Sequence, residues 1–139
     1  MIFVDTGFIF ALFSARDPEH VRVREVYDGL VPQRLHDELV TTNHVVFETI
    51  QLTRGRIGVA EAQSLAELLY SERMARIHWA TPEEEKAAVD YMAKYHDQKY
   101  SLVDCLSFVV MERFEIAEAL TIDSDFTHRF IVRPGPSQT

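Results

Sequence analysis

Three successive apolar residues, Ile2-Phe3-Val4, run straight into an acid, Asp5, and then Thr6-Gly7. A strand with one face in water alternates apolar with polar residues, so a short continuous apolar run belongs in a sheet buried on both faces. Such sheets are parallel and carry helices on either side. The remaining chain fits that frame. Leu39-Val40-Thr41-Thr42, Ala75 to Ala80, Ala119 to Ile122 and Phe130-Ile131-Val132 read as further strands, the last at an edge, with helical patterns between them. The expected fold class is α/β, a three-layer α/β/α domain around a central parallel sheet.

The helices carry their own punctuation. Phe8 to Ala15 reads as the first, and Asp17-Pro18-Glu19 opens a second whose buried side is Val21, Val23, Val26, Tyr27 and Leu30, ending near Gly29 and Pro32. Thr42 or Asn43 caps a helix from His44 to about Arg54, which Gly55 and Gly58 interrupt, and Ala60 to Tyr70 follows. Thr81-Pro82-Glu83-Glu84 is a capping box that starts a helix running to about His96. Ser101 caps the central apolar helix, which reaches about Phe114 and contains the sole cysteine, Cys105. At 139 residues, 47% of them apolar, the chain has enough to bury one core. The expected organisation is one domain over 1–133 with a flexible tail over 134–139. No apolar stretch approaches the roughly 18 residues needed to span a bilayer, and no secretory signal pattern opens the chain. The expectation is a soluble, cytoplasmic protein with no membrane partner.

Four acids stand where strands or helices end or begin: Asp5, Glu48, Asp104 and Asp123. In a parallel sheet, strand ends along one edge form a shared crevice. Each acid also has an ordinary structural reading. Asp104 completes a Ser101-x-x-Asp104 capping box, Asp123 can cap a turn, and Glu48 sits at the boundary of an apolar stripe. Asp5, directly after a buried strand, has the least ordinary position. Carboxylates crowded together raise each other's pKa, a cost that a bound cation removes, and an all-oxygen ligand set suits Mg²⁺ or Mn²⁺. The six histidines are scattered and form no zinc spacing. A net charge of −8 argues against general polyanion binding while leaving room for a small site whose acids are offset by cations. There is no G-x-S-x-G, no phosphate loop and no G-x-G-x-x-G. Gly7 also stands where an aspartyl phosphotransferase would need its second Asp.

Taken together, Asp5-Thr6, Thr41-Thr42-Asn43 with Glu48, Ser101-Leu102-Val103-Asp104-Cys105-Leu106-Ser107-Phe108 and Leu120-Thr121-Ile122-Asp123-Ser124-Asp125-Phe126 resemble the PIN-domain ribonucleases, specifically the VapC-type toxins of toxin–antitoxin modules. The resemblance runs over nearly the whole chain. It implies a metal-dependent endoribonuclease acting on tRNA or rRNA and leaving a 5′-phosphate and a 3′-hydroxyl. Asp5, Asp104 and Asp123 would hold Mg²⁺ or Mn²⁺, and Glu48 would bind a second ion or orient water. Thr6, Thr121 and Asp125 would support them. It further implies a homodimer and a cognate antitoxin protein. For gripping RNA the candidates are Arg54 and Arg56, with Arg16, Lys99 and Arg129 behind them. The rival readings are a PIN nuclease of RNA maturation and a non-catalytic RNA- or protein-binding module.

Overall fold

The computed structural model describes residues 1–30 and 39–137. In chain order the elements are β1 (Ile2–Val4), α1 (Thr6–Phe13), α2 (His20–Leu30), β2 (Leu39–Thr42), α3 (Asn43–Arg56), α4 (Val59–Tyr70), β3 (Arg76–His78), α5 (Pro82–Lys94), α6 (Leu102–Arg113), β4 (Glu118–Thr121) and β5 (Ile131–Pro134). The five strands form one parallel sheet in the order β3-β2-β1-β4-β5. Phe3 faces Val40 on one side and Ala119 on the other, so β1 is central. All three of its residues are buried, as a strand covered on both faces requires. Helices α1 to α4 pack as one group and α5 with α6 as another. Phe3, Phe8, Phe108, Phe126 and Leu120 are among the largest fully buried side chains between the layers.

The order reverses at β1. The chain first builds outward from β1 through β2 to β3, then crosses back to lay β4 on the other side of β1. In open parallel sheets this reversal leaves a crevice at the carboxyl ends of the two strands. Asp5 follows β1 and Asp123 stands two residues after β4, so both acids flank that crevice.

Several boundaries differ from the sequence reading. Helix α1 begins at Thr6, directly on the strand, with Asp5 as its N-cap residue. Val21 is exposed, because the buried rungs of α2 are Val23, Val26, Tyr27 and Leu30, and Val21 lies two residues, about 200°, from Val23. Gly55 stays inside α3, where a lone glycine costs only about 1 kcal/mol against alanine. The α2 helix also continues through Gly29, while Pro32 lies outside the described residues. Strand β5 extends to Pro134, so the segment expected to be a loose tail is engaged at its start. Gly135 donates to the Thr121 carbonyl at 3.0 Å, and Arg22 reaches the carbonyls of Pro134 and Gly135. Among the described residues no helix is long and apolar enough to cross a membrane.

Candidate metal centre

Each pocket acid is positioned by a local rule. Asp104 is the third residue of α6, and the capping box predicted from Ser101-x-x-Asp104 is present: the Asp104 N–H donates to Ser101 Oγ at 3.0 Å, and the Ser101 N–H donates to Asp104 Oδ2 at 3.3 Å. The capping and functional readings are therefore compatible, since the cap occupies a single oxygen of the carboxylate. Asp123 caps the short 3₁₀ turn Ser124–Phe126 by accepting from the Asp125 N–H at 2.9 Å. Its own N–H donates to Thr121 Oγ1 at 2.9 Å, and the Thr121 hydroxyl in turn donates to Asp5 Oδ2 at 3.1 Å. One buried threonine thus ties the end of β4 to the end of β1.

The result is a cluster in which one carboxylate oxygen from each of Asp5, Asp104 and Asp123 lies within 4.8 Å of the others. Its electrostatics are those of a site short of positive charge. Burial, followed by the Asp104 charge, pushes Asp5 up to about 7, against the pull of the Thr6 N–H and the Thr121 hydroxyl. Burial and then the Asp123 charge push Asp104 up to about 6, against its bonds to Ser101. Asp125 is also raised, by burial and by Asp123. The hydroxyl of Thr6, a buried residue, has no hydrogen-bond partner. A bare buried hydroxyl beside carboxylates that resist ionising marks a place where something else completes the bonding. The donor set fits a hard divalent cation: three carboxylate oxygens and no sulfur or imidazole.

The other expected site residues fall differently. Glu48 is half-buried in the second turn of α3, at the same sheet edge, but lies outside the set of converging oxygens. Asp125 acts through its N–H on Asp123. Arg16 and Arg56 line one cleft of about 580 Å³ with Phe10, Asp17 and Glu61, where the Arg56 guanidinium sits 5.3 Å from the Phe10 ring centre. That cleft lies past the far end of α1, whose eight residues span about 12 Å from Asp5. Arg54, in the last turn of α3, shares that end. Arg54 and Arg56 lie six and eight residues beyond Glu48, and the length of α3 sets them about 9 and 12 Å along the axis from it. Arg129 is taken up by Glu112, by the Tyr95 hydroxyl and by the faces of Tyr91 and Tyr95. Lys99 is exposed, two residues before the Ser101 cap.

Sequence reasoning missed an aromatic group beside the pocket: Tyr91, Tyr95, Tyr100, Phe108, Phe126, His128 and Phe130. The signal was present in the i, i+4 pair Tyr91/Tyr95 and in the every-second-residue run Phe126, His128, Phe130.

Comparison with known proteins gives the chain a family and its fold a solved counterpart. The family model for the PIN domain matches residues 2–129. The chain is 32% identical over 136 residues to the 23S rRNA-specific endonuclease VapC20 of Mycobacterium tuberculosis, covering 98% of this chain and 99% of the relative. It is 29% identical over 120 residues to ribonuclease VapC26 of the same organism, covering 86% and 84%. It is 25% identical over 125 residues to a VapC ribonuclease of Archaeoglobus fulgidus, covering 89% and 78%. The crystal structure of M. tuberculosis VapC20, described as a sarcin-ricin loop cleaving toxin, superposes with a TM-score of 0.82 at 30% identity over 92% of this chain and 94% of that one.

Proposed function

This chain belongs to the PIN-domain family, among its VapC-type ribonucleases, and from that premise we propose that it is a metal-dependent endoribonuclease acting as the toxin of a toxin–antitoxin pair. The observation that carries the reading is the convergence of the Asp5, Asp104 and Asp123 carboxylates at the sheet's reversal point. The relative's 23S rRNA makes ribosomal RNA the substrate class we assign first, with tRNA second. The same reading assigns the protein to the cytoplasm, with an antitoxin and a second copy of the chain as partners.

Asp5, Asp104 and Asp123 would hold Mg²⁺ or Mn²⁺. The chemistry such an ion supplies when bound is Lewis acidity at the phosphate and hydroxide near neutral pH. The chain's own residues prepare the place. Thr121 fixes one Asp5 oxygen, Ser101 fixes one of Asp104, and the Asp125 N–H fixes one of Asp123, so the three groups reorganise little when substrate enters. Glu48 is assigned to orient the attacking water and take its proton. The free Thr6 hydroxyl is assigned to a water or a phosphate oxygen in the pocket. Hydrolysis of this kind does not use the RNA 2′-hydroxyl and leaves a 5′-phosphate.

The test is cleavage of end-labelled total rRNA and tRNA by antitoxin-free protein in Mn²⁺ or Mg²⁺, beside EDTA and Asp104→Asn. Asparagine keeps an oxygen for the Ser101 cap, so the variant tests the charge rather than the helix start. Discrete cuts abolished by both controls are expected. Cutting that persists in EDTA would overturn the metal assignment, and no cutting of either RNA would favour the binding-module reading.

A further inference from the structure

We propose that His128, stacked on Tyr100 beside the acid pocket, is the platform on which an unstacked nucleobase next to the scissile phosphate rests. The inference deepens the ribonuclease reading and depends on it for the identity of the ligand.

His128 is exposed, yet its ring is held on every side that the protein can reach. Its Nδ1 faces the Asp125 carbonyl, which can only accept, so Nδ1 carries the proton and donates. Its Nε2 lies 3.3 Å from the Tyr91 hydroxyl. The ring stacks on Tyr100 with centroids 5.3 Å apart and planes 21° apart, and meets Phe108 edge-on at 5.1 Å. Phe108 and Phe126 beneath are fully buried. With both nitrogens engaged, the imidazole is not set up as a metal ligand. What it offers outward is a fixed π surface, on which a base can stack without first having to order a side chain.

Its place in the fold points to RNA at the pocket. Tyr100 immediately precedes Ser101, which holds Asp104. His128 bonds the carbonyl of Asp125, whose N–H holds Asp123. Both halves of the stack therefore hang from the turns that set two of the three acids. The neighbouring rings are spoken for, since Arg129 covers the faces of Tyr91 and Tyr95 at 5.2 and 5.1 Å. The other exposed stacked pair, Tyr70 with Trp79, belongs to the β3 edge, two strands from β1.

The probe is an RNA hairpin with 2-aminopurine in its loop, read by fluorescence quenching in Ca²⁺ and, separately, by KM and kcat for rRNA cleavage in Mn²⁺. Wild-type protein and Trp79→Ala are expected to quench alike. His128→Ala is expected to lose quenching and to raise KM roughly tenfold with kcat within about twofold of wild type. His128→Phe, which keeps a ring and loses both hydrogen bonds, is expected to restore most of both. Quenching by His128→Ala equal to wild type, equal loss in the Ala and Phe variants, or a fall in kcat with KM unchanged would each overturn the proposal. Because quenching needs no turnover, wild-type protein that quenches without cutting would count against the ribonuclease reading alone.

Discussion

At Asp5 the cost of the site can be measured. Its folded pKa of about 7 stands above the ordinary 3.8, so the metal-free fold must keep a proton that the unfolded chain releases. Stability from this group is full below about pH 4 and is lost as pH rises toward 7; three units correspond to roughly 4 kcal/mol at 1.36 per unit. Urea unfolding in EDTA should show wild type weakening between pH 5 and pH 8, and Asp5→Asn weakening less and exceeding wild type by a few kcal/mol at pH 8. Adding Mn²⁺ should stabilise wild type and leave Asp5→Asn nearly unmoved. Equal pH slopes in the two proteins would contradict the burial argument. Thr121 is the hinge of the same arrangement: Thr121→Ser should retain cleavage, whereas Thr121→Val removes the donor to Asp5 and the acceptor for Asp123 and should lower kcat at least tenfold. The three clustering acids were legible from the sequence because each sits at a punctuation mark, a strand end or a helix cap. The distance between their oxygens was not, since it depends on which strands become neighbours.

Among the elements, α5 and α6 are joined to β3 by one buried carboxylate. Glu84, only 3% exposed, completes the Thr81 capping box, meets His78 Nε2 at 2.9 Å and accepts from Arg113 at 2.8 Å. Burial raises its pKa, but the Thr81 N–H, His78 and Arg113 outweigh burial, and the net shift is downward. This sign is the reverse of Asp5's: stability from Glu84 is present above the ordinary carboxylate pKa and is lost as the solution is acidified through the lowered one. Glu84→Ala should destabilise by about 2–4 kcal/mol, and Arg113→Ala, half-exposed and screened, by about 1 kcal/mol, both with kcat intact. Thermal unfolding beside an rRNA cleavage assay checks this pair. The capping box itself was readable from Thr81-Pro82-Glu83-Glu84, but His78 and Arg113 were not, because nothing local says that the end of α6 reaches the start of α5. Likewise the start and extent of α3 could be read approximately, while the fate of its arginines could not. Fourteen residues of helix set Arg56 about 20 Å along the axis from Asn43.

For the molecule as a whole, a charge of −8 sets how it must hold a polyanion. Among the described residues, Arg129 is paired with Glu112 and Arg133 with Glu118, which leaves Lys99 as the exposed cation next to the Ser101 cap. Binding should therefore depend more on divalent ion and base stacking than on counterion release, with a salt slope of only about −1 to −2 against the steep slopes of proteins that make many phosphate contacts. Filter binding of an RNA hairpin from 50 to 200 mM salt in Ca²⁺ measures it, and a slope near −6 would refute the idea. The sheet order has one more consequence, for the cell that makes this protein. Asp5 leaves the ribosome more than a hundred residues before Asp123, and they meet only when β4 docks against β1. A nascent chain halted at residue 113 carries two of the three acids and no partner for that side of β1. If ribosomal RNA is the substrate, as proposed, the machine that translates the message meets no complete set of acids before Asp123 has emerged.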